Sequence, residues 1–209
     1  MRSIIELCHK NDVLVSTGVF IERVLVQGSG AVRKYIAECK RIGFDIIEVS
    51  AGFISIPTDD WLRLIELVRK SGLKAKREVG IQFGAGGGTA AAELKAEGTL
   101  DPSWAIAQSR LFLEAGAEII MIESEGITEN VHPWRTDVPT KFIEKIGMEK
   151  LMFEASDPDV FAWYVKNHGA DVNLFVDHNQ IVQLECLRAG MWGTKSLWGR
   201  IVTYKDTPH

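Results

Sequence analysis

Ala117–Asp137 reads AEIIMIESEGITENVHPWRTD, a short apolar run that ends in carboxylates and passes into a polar loop. Ile119–Ile122 is too short for a helix and lies between Gly116 and Gly126. It therefore reads as a buried strand with Glu123 at its carboxyl end, the place where α/β proteins carry their chemistry. The loop beyond adds Glu125, His132, Trp134 and Arg135. Taken singly, each of these has the plainer reading of a solvated loop residue.

Working outward, the same unit recurs. Ser3–Lys10 has helical apolar spacing and delivers VLVS, read as a first strand ending at Thr17. AVRKYIAECKRIG follows Gly28–Gly30 as a helix with Gly43 as its C-cap, and FDIIEVS is the next strand. Thr58 and Asp59 are expected to cap the helix WLRLIELVRK, which feeds the strand LKAKREVG. Gly80–Gly98 reads as a long loop, its GAGGG at 84–88 suiting a mobile lid better than a phosphate loop, since no Lys-Ser/Thr follows. Asp101 and Pro102 open a helix that feeds IIMIES. Thr136–Gly147, Lys150–Ala155 and the helix opened by Ser156, Asp157 and Pro158 continue the alternation. VNLFVD is a sixth strand, Asn179–Arg188 a last clear helix, and Met191–His209 is hard to assign.

Six strand and helix pairs in strict alternation predict a parallel α/β sheet with right-handed crossovers. Glu48, Glu78, Glu123, Glu154 and Asp177 stand at or near the carboxyl ends of five of those strands. An open sheet gathers its site at one switch point, whereas a barrel brings every strand end to one mouth. The repeated acid therefore favours a TIM-type (β/α) barrel in one domain spanning 1–209, its site an acidic ring. Such a ring is relieved by a divalent cation, by protonation or by basic partners, and magnesium suits an oxygen-only donor set of Glu48, Glu78, Glu123 and Glu154. Against this stands the structural alternative that some acids only cap helices or pair with Lys74, Lys76 or Arg77. His178, beside Asp177, suits an acid/base group or a phosphate contact, and equally a helix cap.

Of the 209 residues, 24 are basic and 28 acidic, for a net charge of −4, and no Lys/Arg run is present. Nothing favours nucleic acid or an anionic membrane, and no apolar stretch approaches the ~20 residues of a membrane span. The amino terminus lacks a signal peptide's regions, so a cytoplasmic setting is expected. Three scattered cysteines, Cys8, Cys39 and Cys186, read as reduced thiols on helices.

Several blocks in order resemble the phosphosulfolactate synthase family, most closely its plant heat-stress-associated branch. They are GFDIIEVS (43–50), KREVG (76–80), EAGAEIIMIESEGITENV (114–131), WRTDV (134–138), MFEASDP (152–158) and DVNLFVDHNQIVQLECLRAGMWGT (171–194). The resemblance implies a TIM-type barrel and, for the archaeal and bacterial synthases, magnesium-dependent addition of sulfite to phosphoenolpyruvate. Glu48, Glu78, Glu123, Glu154 and Asn173 match the synthase pattern. Gln82 stands where that pattern has a lysine, and Glu125 where it has an arginine. Two anionic substrates need compensating cations, so both departures oppose the synthase reaction. The resemblance thus implies a role in heat acclimation without the ancestral activity. The alternative is a lyase of the synthase type, with Glu78, Glu123, Glu154 and His178 catalytic and its cations supplied by Arg135, Lys195 or Arg200. Asn173 and Asp177 would then join Arg135 and Lys195 on a small phosphorylated ligand. A homo-oligomer or a chaperone-system component is the other partner expected. A barrel of this family has eight strands, so the first two units are expected to be missing, as in a truncated gene model or splice product. VLVST and VNLFVD should then present open edges with apolar side chains facing water.

Overall fold

A computed structural model of the chain describes residues 1–18, 21–50, 52, 54–82, 90–97 and 101–191. They fall into two compact units, Met1–Leu151 and a second that begins at Met152.

The first unit opens on helix α1 (Arg2–His9), of which Ile5 alone is buried. The expected strand VLVS shrinks to one parallel bridge, Ser16 to Ile46. Its backbone is tied down nearby: the Thr17 amide donates to the Ile46 carbonyl at 3.0 Å and the Val15 amide to Asp45 Oδ2 at 2.7 Å. Val13 and Leu14 stay more than half exposed. Helix α2 (Ile21–Leu25) leads into α3 (Ser29–Ile42), whose buried stripe is Val32, Ile36 and Cys39. Gly43 ends α3 at φ +114°, a left-handed conformation that glycine adopts without strain. Strand β1 (Ile46–Val49) then pairs in parallel with β2 (Lys74–Val79), and β2 with β3 (Ile119–Ile122).

Between β1 and β2 runs α4 (Thr58–Lys70), which buries Trp61, Leu64, Ile65 and Val68 at helical spacing. Neither Thr58 nor Asp59 caps it. Pro57 holds the N-cap position without a side-chain bond, and the Thr58 hydroxyl accepts from Gln108 Nε2 at 3.3 Å instead. The expected loop over 80–98 contains a helix, α5 (Ala91–Glu97), because AAELKAE is composed of strong helix formers. The glycine stretch 84–88, expected to form a lid, lies outside the described residues. Helix α6 (Ser103–Glu114) follows Asp101, whose Oδ1 accepts from the Ser103 amide at 2.9 Å and hydroxyl at 2.8 Å. Helix α7 (Asp137–Ile146) then buries Val138, Pro139 and Phe142.

Strand β4 (Leu151–Glu154), all but its first residue in the second unit, pairs there in parallel with β5 (Leu174–Phe175). Helix α8 (Pro158–His168) is capped by Asp157, whose carboxylate accepts from the Asp159 amide at 2.7 Å, with proline at N1 as expected. Tyr164 of α8 stacks on Phe153 of β4 at 4.9 Å between ring centroids. The long strand expected at VNLFVD is reduced to two residues, because the chain turns at Asp177 into a short 3-10 turn, His178–Gln180. Helix α9 (Ile181–Arg188) completes the unit. The alternation of parallel strands with helices is thus as expected, with five strands among the described residues and the bridge at Ser16 in place of the first of the six expected. The three cysteines are free and lie on α1, α3 and α9.

Candidate functional site

Two adjacent cations on β2 define its faces. Arg77 stacks on Trp61 of α4, 4.1 Å from the ring centroid, and on Phe112 of α6, 5.1 Å away. It therefore points into the helical layer. Successive strand residues alternate, so Lys76 and Glu78 point to the opposite, inner face. The register then places Glu48 beside Lys76 and Met121 beside Glu78. Glu123, two residues past Met121, continues that face, its amide extending the ladder to the Val79 carbonyl at 3.1 Å.

On the inner face Lys76 and Glu48 form a buried ion pair, Nζ to Oε2 2.7 Å, with both side chains less than 10% exposed. Glu48 also accepts from Ser50 Oγ at 3.2 Å, and its amide donates to Thr17 Oγ1 at 3.0 Å. Thr17 in turn bonds the Tyr35 hydroxyl, whose pKa burial pushes up to about 12 despite that bond. Pairing with Lys76 was one of the plain alternatives open for Glu48. Strand parity was the signal that could have separated Lys76 from Arg77.

Glu123 is buried and folds the turn that follows it. Its Oε1 accepts from the amides of Ser124 at 2.9 Å and Glu125 at 3.3 Å, and from Ser124 Oγ at 3.4 Å. Ser124 Oγ also lies 2.8 Å from Glu129 Oε2. Glu125 is itself buried, 8% exposed, and accepts from Asn130 Nδ2 at 3.1 Å. Gly126 turns the chain at φ +76°, and a Cβ there would lie 2.5 Å from Gln82 Oε1. Gln82 and Gly126, far apart in sequence, thus meet at one turn. Nothing in their spacing along the chain announced that contact.

Arg135 leaves this turn with its amide bonded to the Ile127 carbonyl at 2.8 Å. Its guanidinium grips Asp137 in a two-pronged pair, Nε to Oδ1 2.9 Å and an Nη to Oδ2 3.0 Å, which holds the Asp137 carboxyl below its usual range. In the second unit Glu154 ends β4, half-buried, and the Asn173 carbonyl accepts from the Phe153 amide at 2.9 Å. Asp177 and Gln180 cap the 178–180 turn reciprocally, so the cap is Asp177 and not His178, which is exposed beside them. Lys195 and Arg200 lie outside the described residues.

Among the described residues no group of three or more His, Cys, Asp or Glu is placed to hold a metal ion. The first unit's donor set explains this locally. Lys76 neutralises Glu48, and one oxygen of Glu123 is already an acceptor for the turn. Within the first unit Glu48 is thus engaged by a cation and Glu123 by its own turn, and no chemical step is derived through a magnesium ion.

The family model for (2R)-phospho-3-sulfolactate synthase (ComA) matches residues 1–194. The chain belongs to that family. Among its relatives, Protein HEAT-STRESS-ASSOCIATED 32 of Arabidopsis thaliana is 37% identical over 198 residues, covering 90% of this chain and 69% of that protein. Phosphosulfolactate synthases of Methanothermobacter thermautotrophicus and Methanocaldococcus jannaschii are 25% and 22% identical, each match covering 78% of this chain. It covers 62% and 64% of those two proteins, so the chain spans about two thirds of its curated relatives. Among solved structures, N-acetylneuraminate lyase from Fusobacterium nucleatum complexed with pyruvate aligns at TM-score 0.40 and 11% identity, over 77% of this chain and 57% of that one. The homocysteine methyltransferase MmuM from Escherichia coli aligns at TM-score 0.40 and 15% identity, over 93% and 91%.

Proposed function

We propose that this chain serves in acquired heat tolerance, as the name of its Arabidopsis relative suggests, and does not add sulfite to phosphoenolpyruvate. The observation that carries the reading is the turn at Gly126. Where the synthase pattern implies a lysine and an arginine, the chain packs the amide of Gln82 against Gly126, beside the buried carboxylate of Glu125. A phosphate and a sulfite brought to that turn would meet like charge, and a buried carboxylate in place of a guanidinium opposes an anion by several kcal/mol, roughly the worth of a charged hydrogen bond lost plus a repulsion gained. The higher identity to the heat-stress protein, 37% against 25% and 22%, supports the same direction. The setting proposed is the cytoplasm, which the free cysteines support; no helix among the described residues is long and apolar enough to cross a membrane. Expression in Arabidopsis plants lacking the heat-stress relative tests the role. Restored survival after acclimation is expected, and equal restoration by Glu123→Gln would show that no inner-face acid chemistry is needed.

A second reading, a lyase of the synthase type, draws on the inner face, where Glu78 and Glu123 share one side of the sheet. Magnesium would be its cofactor. Turnover of phosphoenolpyruvate and sulfite by the purified chain, lost in Glu123→Gln, would establish it over the first.

A further inference from the structure

A groove of about 1130 Å³ runs between α3 and α4, its lining including none of Glu48, Glu78 and Glu123. Its floor is Val32 of α3 and Leu64 of α4, both buried, and its walls include Leu25, Val26, Ile56 and Leu67. Val26 is 71% exposed, an apolar side chain turned to water at the groove's margin.

The side of α4 that lines the groove is a seam. Asp60, Arg63, Leu64, Leu67 and Lys70 line it, the i, i+3, i+4, i+7, i+10 spacing with which one helix receives the side chains of another. The groove's volume exceeds the ~300–1,000 Å³ of ordinary small-molecule pockets, and it is open along one side. An aliphatic ligand lying there would keep one flank wet. An amphipathic helix would cover the apolar floor and keep its polar face in solvent.

The charges choose among helices. Arg63 pairs with Asp60 and Lys70 with Glu66, at 2.8 Å for the latter, so α4 neutralises itself. Arg33 on the facing wall has no ion pair among the described residues, which leaves the groove three cations against two carboxylates. We infer that the α3–α4 groove is the docking site for an amphipathic helix of a partner protein, with acidic residues flanking its apolar stripe and one of them meeting Arg33.

The test uses the full chain and a fluorescein-labelled helical peptide of about 18 residues, roughly 27 Å long, with leucines at i, i+3, i+7 spacing and flanking glutamates. Fluorescence anisotropy should show binding that a peptide with the same composition and a scrambled stripe lacks. Val26→Asp should weaken it about tenfold or more, because its exposed side chain can change without disturbing the core. Arg33→Glu should do the same, and should reverse the preference toward a peptide with lysine flanks. Thermal unfolding of each variant at the wild-type midpoint would show that folding is intact. Equal binding of the acidic, basic and scrambled peptides would overturn the inference. So would tight binding of palmitate that Val26→Asp abolishes, or a concentration-dependent dimer on size exclusion that the same variant dissolves, since either gives the groove a different occupant.

Discussion

Lys76 and Arg77 are neighbours on one strand, and the chain shields their charges by opposite means. Lys76 on the inner face meets a carboxylate, Glu48, at 2.7 Å. Arg77 on the helical face meets no carboxylate at hydrogen-bond distance among the described residues; it lies over Trp61 and Phe112 and donates to the carbonyls of Val49 and Glu78. Burial pulls its pKa down to about 10, and its Nε is sealed from water without a hydrogen-bond partner among the described residues. The difference teaches which face of the sheet is polar by construction. Inner-face positions offer charged partners to a charge, and helical-face positions offer rings and backbone carbonyls; in the first unit Glu48, Glu78 and Glu123 share the inner face.

The largest effect should come from breaking the inner pair. Lys76→Met leaves Glu48 buried without its cation and should cost about 3–5 kcal/mol, while the double variant Glu48→Gln/Lys76→Met should recover most of the loss. Chemical denaturation of the three proteins measures it; equal loss in single and double variants would mean that packing, and not charge, sets the cost. On the other face, Arg77→Met removes the charge and keeps most of the volume, and a smaller loss of about 1–3 kcal/mol is expected from the missing ring and carbonyl contacts. A loss as large as that of Lys76→Met would erase the contrast between the two faces.

Gly126→Ala sharpens the inner-face picture. Its φ of +76° and the approach of Gln82 to 2.5 Å from the added Cβ should together cost about 1–2 kcal/mol, and Gln82→Ala should relieve part of it. A neutral Gly126→Ala, read by thermal unfolding, would separate Gln82 from the turn. The smallest effect lies at the margin of the sheet, where His9 Nε2 and the Val15 amide both hold Asp45. Burial pushes the Asp45 carboxyl up, but those bonds outweigh it and hold it below the ordinary value. A depressed carboxyl gives stability that is present above the unfolded pKa of about 3.9 and is lost as the pH falls through the folded value. Wild type should therefore exceed Asp45→Asn in stability at neutral pH, and the gap should close below about pH 4. A gap that persisted in acid would assign the effect to something other than this carboxylate.

Much of this was legible in the sequence. Ile119–Ile122 between two glycines, Asp157–Pro158 ahead of a helix, and Gly43 after one are local signals, and local physics settled each of them. VLVS misled because β-branching describes a strand's surface, not its partner; among the described residues the run makes a single bridge, Ser16 to Ile46. VNLFVD shortened because Asp177 and Gln180 form a reciprocal cap, and that cap starts the next turn early. Helix α5 was hidden by its glycine-rich surroundings, which outweighed the helix-forming AAELKAE in the reading. The candidate site was legible as a set of strand-end acids and illegible as a set of contacts. Whether Glu48 faces a metal or Lys76 depends on register, and whether Gln82 touches Gly126 depends on two loops meeting, neither of which a linear pattern contains.

The central claim is the proposal that this family member, with Glu48, Glu78 and Glu123 on the inner face of its first unit and Gln82 and Glu125 at the turn of Gly126, does not carry out the synthase reaction. Its most direct test is product formation from phosphoenolpyruvate and sulfite with magnesium, by the purified chain and by Gln82→Lys/Glu125→Arg. The account predicts no phosphosulfolactate from the unaltered chain above the enzyme-free rate. Steady turnover by the unaltered chain, abolished by Glu123→Gln, would contradict it.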